Sequence, residues 1–415
     1  MKILLLTTSD GRLGADMAAI RLHQSLLREG IDSRVKVQVQ HSDESTVYGP
    51  SSKTGRLLSI FRHNIDQLRV AFYRNRKQHD YFSPAWLPLG QSQIDDFDPD
   101  IVHLHWVCGG FLSVDSIASF NKPVVWTMHD MWPFTGGCHY AGDCRKYENY
   151  CGACPKLNSS MENDLSKSIN DKKSRKWRDT DLTLIAPSRW LANCGQSSRI
   201  FRDKPIVTIP NCIDTEVFKP AEKSVARSIL NVPANKKVLL FGAVSAMSDR
   251  RKGFELLEKA IIEFEKRVET VEYLLLIFGS SKPKSPSKFS IETRYLGRLN
   301  DDTSLVLAYS SADVFILPSL EDNLPNTILE AMACGVPCVA NDAGGVGDMV
   351  QHKNTGYLSK YNNSDDLCSG ILWVLQNEKR SVSLSEQSVS RAREVYSFSA
   401  VARSHIDLYQ DILHR

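Results

Sequence analysis

Residues 313–335 constrain this chain more than any other stretch. Val314-Phe315-Ile316-Leu317 is a short apolar run closed by Pro318, which reads as a buried strand. A polar loop follows, and Asn326 or Thr327 can cap a helix whose first turn carries Glu330. Gly335 suits a helix stop, Pro337 blocks continuation, and Val339 and Ala340 open another strand. A loop that leaves a strand and feeds a helix N-terminus is where α/β proteins bind anions. This loop instead carries Glu321 and Asp322, with Glu330 just beyond. Carboxylates beside an anion site make sense for a ligand with a phosphate end and a hydroxyl-rich end. The structural alternative is a turn aspartate and an ordinary glutamate near a helix start.

A chain of 415 residues predicts two domains. The net charge of +3 argues against nucleic acid as the main partner, and no apolar run reaches the length of a membrane span. Met1 to Thr8 read as a first strand rather than a signal peptide. With ten cysteines, most scattered through unrelated segments, a reducing, cytoplasmic compartment is expected.

The first half begins as strand, loop, helix, strand. Ile3 to Leu6 are apolar, Gly11 and Gly14 lie in the loop, and Ala18, Ala19, Leu22, Leu26 and Leu27 recur at helical spacing up to Gly30. Val35, Val37 and Val39 then alternate. No GxGxxG is present, so the dinucleotide fingerprint is absent. Residues 53–80 interleave Arg56, Arg62, Arg69, Arg74, Arg76 and Lys77 with large apolar residues. That is either a solvated surface helix or one that lies on an anionic membrane, with residues 56–77 as the contact. Two strands end in histidine, at His105 and at His129-Asp130, where His129 suits a hydroxyl or proton transfer. Cys138, Cys144, Cys151 and Cys154 follow within a short insert. Four thiolates suit a structural zinc, and unligated thiols, a disulfide and an iron–sulfur cluster stay open beside it. Tyr140, Tyr147 and Tyr150 either stack on a sugar ring or pack the loop.

Residues 212–235 read as the passage between domains. Lys237 to Gly242 start a new strand-loop-helix unit whose loop holds Arg250, Arg251, Lys252 and Gly253. Three adjacent bases at such a loop suit a diphosphate and are not a Walker loop. Asn341 to Asp348 form a second glycine-rich loop after a strand. A helical tail from residue 384 to the end suits a return to the first domain.

At Glu330-Ala331-Met332-Ala333-Cys334-Gly335, leading into Val336-Pro337, the chain resembles a retaining glycosyltransferase of the GT-B fold, family 4, of the exopolysaccharide and colanic acid type. The resemblance covers nearly the whole chain. It implies two Rossmann-like α/β domains facing a cleft: residues 1–211 on the acceptor side with the cysteine insert at 138–154, residues 212–390 for the nucleotide sugar, and residues 391–415 returning to the first domain. It implies a nucleoside-diphosphate sugar as donor and a glycan or lipid-linked saccharide as acceptor, with no cofactor needed for catalysis and no nucleic acid. By register, Glu330 holds the ribose and Asp322 takes the place of the family's first glutamate at the reacting sugar, with Glu321 one residue away. Asn323, Asn326, Gly344 and Gly345 join the donor side, as does Gly14 from the first domain. Lys252 and Arg251 match the diphosphate clamp, although the family's arginine position falls on Met247. His129 matches the histidine that contacts the donor sugar. Pro210-Asn211-Cys212-Ile213-Asp214 matches a family motif with cysteine in place of glycine. The family's membrane-bound acceptors point to peripheral contact with the inner face of the cytoplasmic membrane. A non-hydrolysing UDP-sugar epimerase, a phosphorylase-like enzyme and a degenerate, non-catalytic sugar binder are the rival readings.

Overall fold

The computed structural model describes residues 1–11, 14–76, 81–88, 97–243, 249–282 and 288–415. It divides into two compact units, residues 1–210 with 401–415 and residues 211–400. Met247 and Lys77, singled out in the sequence, lie outside the described residues.

The first unit is built on strands β1 (Lys2–Ser9), β2 (Asp32–Val39), β3 (Val47–Tyr48), β4 (Ile101–Leu104), β5 (Val124–Thr127), β6 (Leu182–Ala186) and β7 (Ile206–Thr208). They form one sheet in the order β3-β2-β1-β4-β5-β6-β7, and every pairing is parallel. Parallel sheets are covered by helices on both faces, which is why β4, β5 and β6 are buried along their whole length and β1 from Ile3 to Thr7. The strand order reverses between β1 and β4, and ligands collect at such a reversal. The helix Gly14–Arg28 follows β1 and stops at Gly30, whose φ of +76° suits glycine. The basic, apolar stretch folds as the helix Lys53–Ala71, capped by Ser52.

The second unit repeats the plan with β8 (Lys237–Gly242), β9 (Tyr273–Phe278), β10 (Thr293–Gly297), β11 (Val314–Leu317), β12 (Cys338–Asn341) and β13 (Gly356–Ser359). Their order is β10-β9-β8-β11-β12-β13, again parallel, with the reversal between β8 and β11. The central strand of the sequence reading is therefore one of the two at the reversal.

The tail is two helices rather than one. Glu378–Val395 stays in the second unit, and the chain then pairs at Ser397 with Ile213, while Ile213 donates its N–H to the Tyr396 carbonyl at 2.8 Å. The helix Phe398–Leu413 follows, and from Val401 onward the chain packs in the first unit. There Tyr409 lies 2.6 Å from His103 Nδ1 through its hydroxyl. Two Rossmann-like α/β domains and a returning C-terminal helix make up the GT-B architecture.

Burial in the first unit sets its response to acid. His23, His129 and His405 are pushed from the usual 6.5 to about 4 by desolvation, and His103 and His105 lie well below 6.5 for the same cause. Between about pH 4 and 6.5 the unfolded chain binds protons that the folded chain refuses, so stability falls as pH drops through that window. Asp16 opposes this, since burial raises it to about 7, and Asp66 is raised in the same way. Five histidines against two carboxylates leave a net loss on acidification. Thermal melts from pH 7.5 to pH 5 should show Tm falling, with His23, His129 and His405 each contributing on the order of 1–2 kcal/mol at pH 5. A flat or rising Tm over that range would contradict this ledger of protons.

Candidate functional site

Three loops of the second unit meet at the reversal between β8 and β11. The loop after β8 carries the basic cluster. Asp249 opens a short turn, Arg250–Lys252, and accepts the Arg251 N–H at 3.0 Å. Gly253 closes it with φ +71°, and a Cβ there would lie 1.9 Å from the Pro318 carbonyl oxygen. No side chain fits that gap, so the basic turn sits directly on the end of β11. Leu320 N–H donates to the Arg251 carbonyl at 2.7 Å, locking the same contact.

The lock delivers Lys252 Nζ to Asp322 Oδ2 at 2.6 Å, with the two side chains 22% and 10% exposed. Asp322 is gripped from its other side by the loop after β12. Gly344 has φ +61°, and a Cβ there would meet the Asp322 carbonyl at 2.0 Å. Gly345 N–H donates to that carbonyl at 3.0 Å. Asn341 Nδ2 donates to the Ser319 carbonyl at 2.8 Å, tying β12 to the loop that carries Asp322. The sequence-chosen residues Lys252, Asp322, Gly344 and Gly345 are thus brought together. Arg251 is adjacent, but its guanidinium pairs with Asp249 at 2.6 Å, which offsets part of its charge.

The helix Asn326–Ala333 carries Glu330. The sequence reading put the cap at Asn326 or Thr327. The structure starts the helix at Asn326, and the cap position, Pro325, offers no side-chain hydrogen bond. Asn326 Oδ1 instead accepts from Asn211 Nδ2 at 3.4 Å. Glu330 is buried, and its Oε2 accepts the hydroxyl of fully buried Tyr309 at 2.9 Å. Burial leaves the carboxylate little water, and the Tyr309 hydroxyl is one of the groups that orient it. Asn323 is buried and Glu321 half-buried in the same loop.

His129 belongs to the first unit, where the strand-end residues also converge. Its Nε2 lies 2.9 Å from His105 Nδ1. Desolvation pushes it down to about 4, so the ring is neutral at physiological pH. Asp130, its sequence neighbour, has another job. Its carboxylate accepts Trp106 Nε1 at 3.1 Å and Trp132 N–H at 2.8 Å, and it pairs with His139 Nδ1 at 2.6 Å. His139 sits within the cysteine insert, so Asp130 anchors that insert to the strand ends. Gly14 begins its helix, and among the described residues nothing lies within 4 Å of where a Cβ would stand. The protein's own packing therefore does not demand a glycine there.

Cys138, Cys144, Cys151 and Cys154 are free thiols that line one small cavity with Phe82 and Tyr147. Burial pushes the Cys151 thiol up to about 12 and holds the Cys138 and Cys154 thiols above their usual range, so they are protonated. Among the described residues, no group of three or more His, Cys, Asp or Glu side chains is placed to hold a metal ion. The expectation of structural zinc therefore gains no support from the geometry. The tyrosines of the insert separate: Tyr147 is buried and packs on Phe134 at 5.5 Å, while Tyr150 is exposed and carries Lys167 over its ring at 5.1 Å.

Tyr309, Asn341 and His105 as a partner of His129 were missed or left without a role in the sequence. Tyr309 lies in an apolar helical run and gave no signal. Asn341 stands at the end of an apolar strand, where a polar residue is a usable clue.

Comparison with known proteins assigns the two halves separately. A model described as Glycosyltransferase Family 4 matches residues 14–217, and one described as Glycosyl transferases group 1 matches residues 236–377. The N-acetyl-alpha-D-glucosaminyl L-malate synthase of Bacillus anthracis is 26% identical over 218 residues, covering 51% of this chain and 55% of that protein. Against that relative the match thus spans about half its length. The putative colanic acid biosynthesis glycosyl transferase WcaC of Escherichia coli K12 is 22% identical over 436 aligned positions, covering 96% and 97%. The structure of sucrose-phosphate synthase from Thermosynechococcus elongatus superposes over 100% of both chains, with a TM-score of 0.69 and 18% identity. That likeness concerns the fold. The two family models together span most of the sequence and part company near the junction of the two units, and the chain belongs to the family 4, group 1 glycosyltransferases of the GT-B fold.

Proposed function

We propose that this glycosyltransferase moves a sugar from a nucleoside-diphosphate sugar to a glycan or lipid-linked glycan acceptor of a surface polysaccharide, with retention at the anomeric carbon. The observation that carries this reading is the Lys252–Asp322 pair at the strand reversal of the second unit. A cation and a carboxylate held 2.6 Å apart and mostly out of water are each poised for a ligand of opposite character. A diphosphate competes for Lys252, and that frees Asp322 for the sugar. As the glycosidic bond to phosphate breaks, Lys252 and Arg251 stabilise the charge that develops on the leaving diphosphate. Asp322 orients the sugar and steadies positive charge at the anomeric carbon. The leaving diphosphate takes the proton of the acceptor hydroxyl as that oxygen enters on the same face, so no separate base is needed. Glu330, aimed by Tyr309, binds the ribose hydroxyls. Neutral His129 hydrogen-bonds the sugar. The loop residues Glu321, Asn323, Asn326, Gly344 and Gly345 complete the donor side, with Gly14 contributing from the first unit. The insert of Cys138, Cys144, Cys151 and Cys154 enters as a packing element.

We place the acceptor at a membrane surface because of the helix Lys53–Ala71. Leu57, Leu58, Ile60, Phe61 and Leu68 are all exposed on it, and Phe72 just after it is 86% exposed. Asp66 is its one acidic residue and is buried, so the exposed surface is apolar and basic. Large apolar side chains beside arginines suit the boundary of an anionic bilayer, where each basic residue contributes about 1 kcal/mol. Among the described residues no helix is long and apolar enough to cross a membrane, so the proposed contact is peripheral.

Purified protein should bind one class among GDP-, UDP-, dTDP- and ADP-sugars and release its nucleoside diphosphate slowly. Lys252→Ala should lower kcat/KM by about 10²-fold or more. Tyr309→Phe should weaken donor binding through KM with little change in kcat, because it loosens a residue that binds ground state and transition state alike. A folded protein that binds none of these donors would sink the assignment. Turnover without loss in Lys252→Ala would remove that lysine from the mechanism.

Sedimentation with phosphatidylglycerol vesicles should capture the protein at low salt, and Leu57→Glu with Phe61→Glu should release it. Equal capture of the variant, or none of the parent, would remove the helix as a membrane contact.

A further inference from the structure

His105 stands at the end of β4, and both of its backbone groups are engaged. Its N–H donates to the Leu6 carbonyl at 2.9 Å, and its carbonyl accepts Trp126 Nε1 at 3.1 Å. The residue is 3% exposed. Its ring lies between those of His103 and His129, with centroids at 4.5 Å and 5.2 Å. On one edge, Nδ1 meets His129 Nε2 at 2.9 Å. On the other edge, Nε2 is buried and has no hydrogen-bond partner among the described residues.

These facts limit where the protons sit. One hydrogen must lie between Nδ1 of His105 and Nε2 of His129, or two lone pairs would face each other. If His129 supplied it, neutral His105 would carry its own proton on Nε2, a buried N–H with no acceptor. Orphaned buried N–H groups are rare and cost more often than proteins tolerate, whereas an unused lone pair is the commoner exception. The cheaper arrangement has His105 Nδ1–H donating to His129 Nε2. His129 then carries its proton on Nδ1.

We propose that His105 is a positioning residue that locks His129 in the Nδ1–H tautomer, so that His129 works as a hydrogen-bond donor toward the donor sugar and not as a base. The part that concerns the sugar rests on the function proposed above, and the tautomer lock does not. Desolvation holds both rings neutral, in keeping with this division of roles. His103 braces the stack from behind: its Nε2 lies 2.8 Å from Thr127 Oγ1, and its Nδ1 lies 2.6 Å from the Tyr409 hydroxyl on the returning helix.

Protein labelled with ¹⁵N-histidine reports the tautomer directly through long-range ¹H–¹⁵N correlations at pH 7, with His129→Gln to assign the signals. His129 should show a protonated Nδ1 and an unprotonated Nε2. A protonated Nε2, or an imidazolium, would overturn the lock, and this reading needs no variant of His105 to fold. His105→Phe should mix the two His129 tautomers and lower kcat by about tenfold with donor KM little changed. His105→Asn, whose amide can place an N–H near the Nδ1 position, should recover most of that loss. Equal losses in the Phe and Asn variants with the His129 tautomer unmoved would reduce His105 to packing. Should the wild-type tautomer appear as expected while no donor sugar is turned over, the lock stands and the transferase reading fails.

Discussion

The second unit depends on two places where a side chain cannot exist. At Gly253 a Cβ would intrude on the Pro318 carbonyl, and at Gly344 on the Asp322 carbonyl. Both glycines also occupy positive φ, so backbone conformation and close approach demand the same residue. Together they let the loops after β8 and β12 close on the loop after β11 from opposite sides. The Lys252–Asp322 pair is a consequence of that closure. The turn that carries Lys252 is pinned to the loop after β11, and the Asp322 carbonyl is pinned to the loop after β12, so the backbone that presents both side chains is fixed. Reorganisation is therefore largely settled during folding, which is what electrostatic stabilisation of a leaving group requires.

The same principle orders the first unit by other means. Its strand ends bring together histidines and indoles that water barely reaches, and hydrogen bonds among them replace solvation. Asp130 accepts three donors and so anchors the cysteine insert, and His103 ties the strand end to the C-terminal helix through Tyr409. The returning helix is thereby part of the first unit's polar core rather than an appended tail. Desolvated histidines make this arrangement sensitive to acid, in contrast with the second unit, whose described site rests on a carboxylate–ammonium pair.

Much of this was legible in the chain. Apolar runs bounded by proline and glycine gave the strands, because buried parallel strands need no polar face. The loop carboxylates and the Arg250–Lys252 cluster marked the site, because charge at a strand end has few structural uses. What stayed hidden depends on partners distant in sequence. Nothing around Tyr309 announces that its hydroxyl meets Glu330. The break at Tyr396 and Ser397 follows from pairing with Ile213, so helical spacing alone ran the tail together. The four cysteines suit ligands by spacing, and the fold brings all four around one small cavity, where burial raises the Cys138, Cys151 and Cys154 thiols.

The central claim is that the diphosphate of the donor takes Lys252 away from Asp322. A crystal structure with the matching nucleoside diphosphate bound tests it most directly. Lys252 Nζ should lie on phosphate oxygen, with Asp322 turned away from it and Glu330 on the ribose. A nucleotide bound elsewhere, or one seated here with the 2.6 Å Lys252–Asp322 contact intact, would contradict the claim.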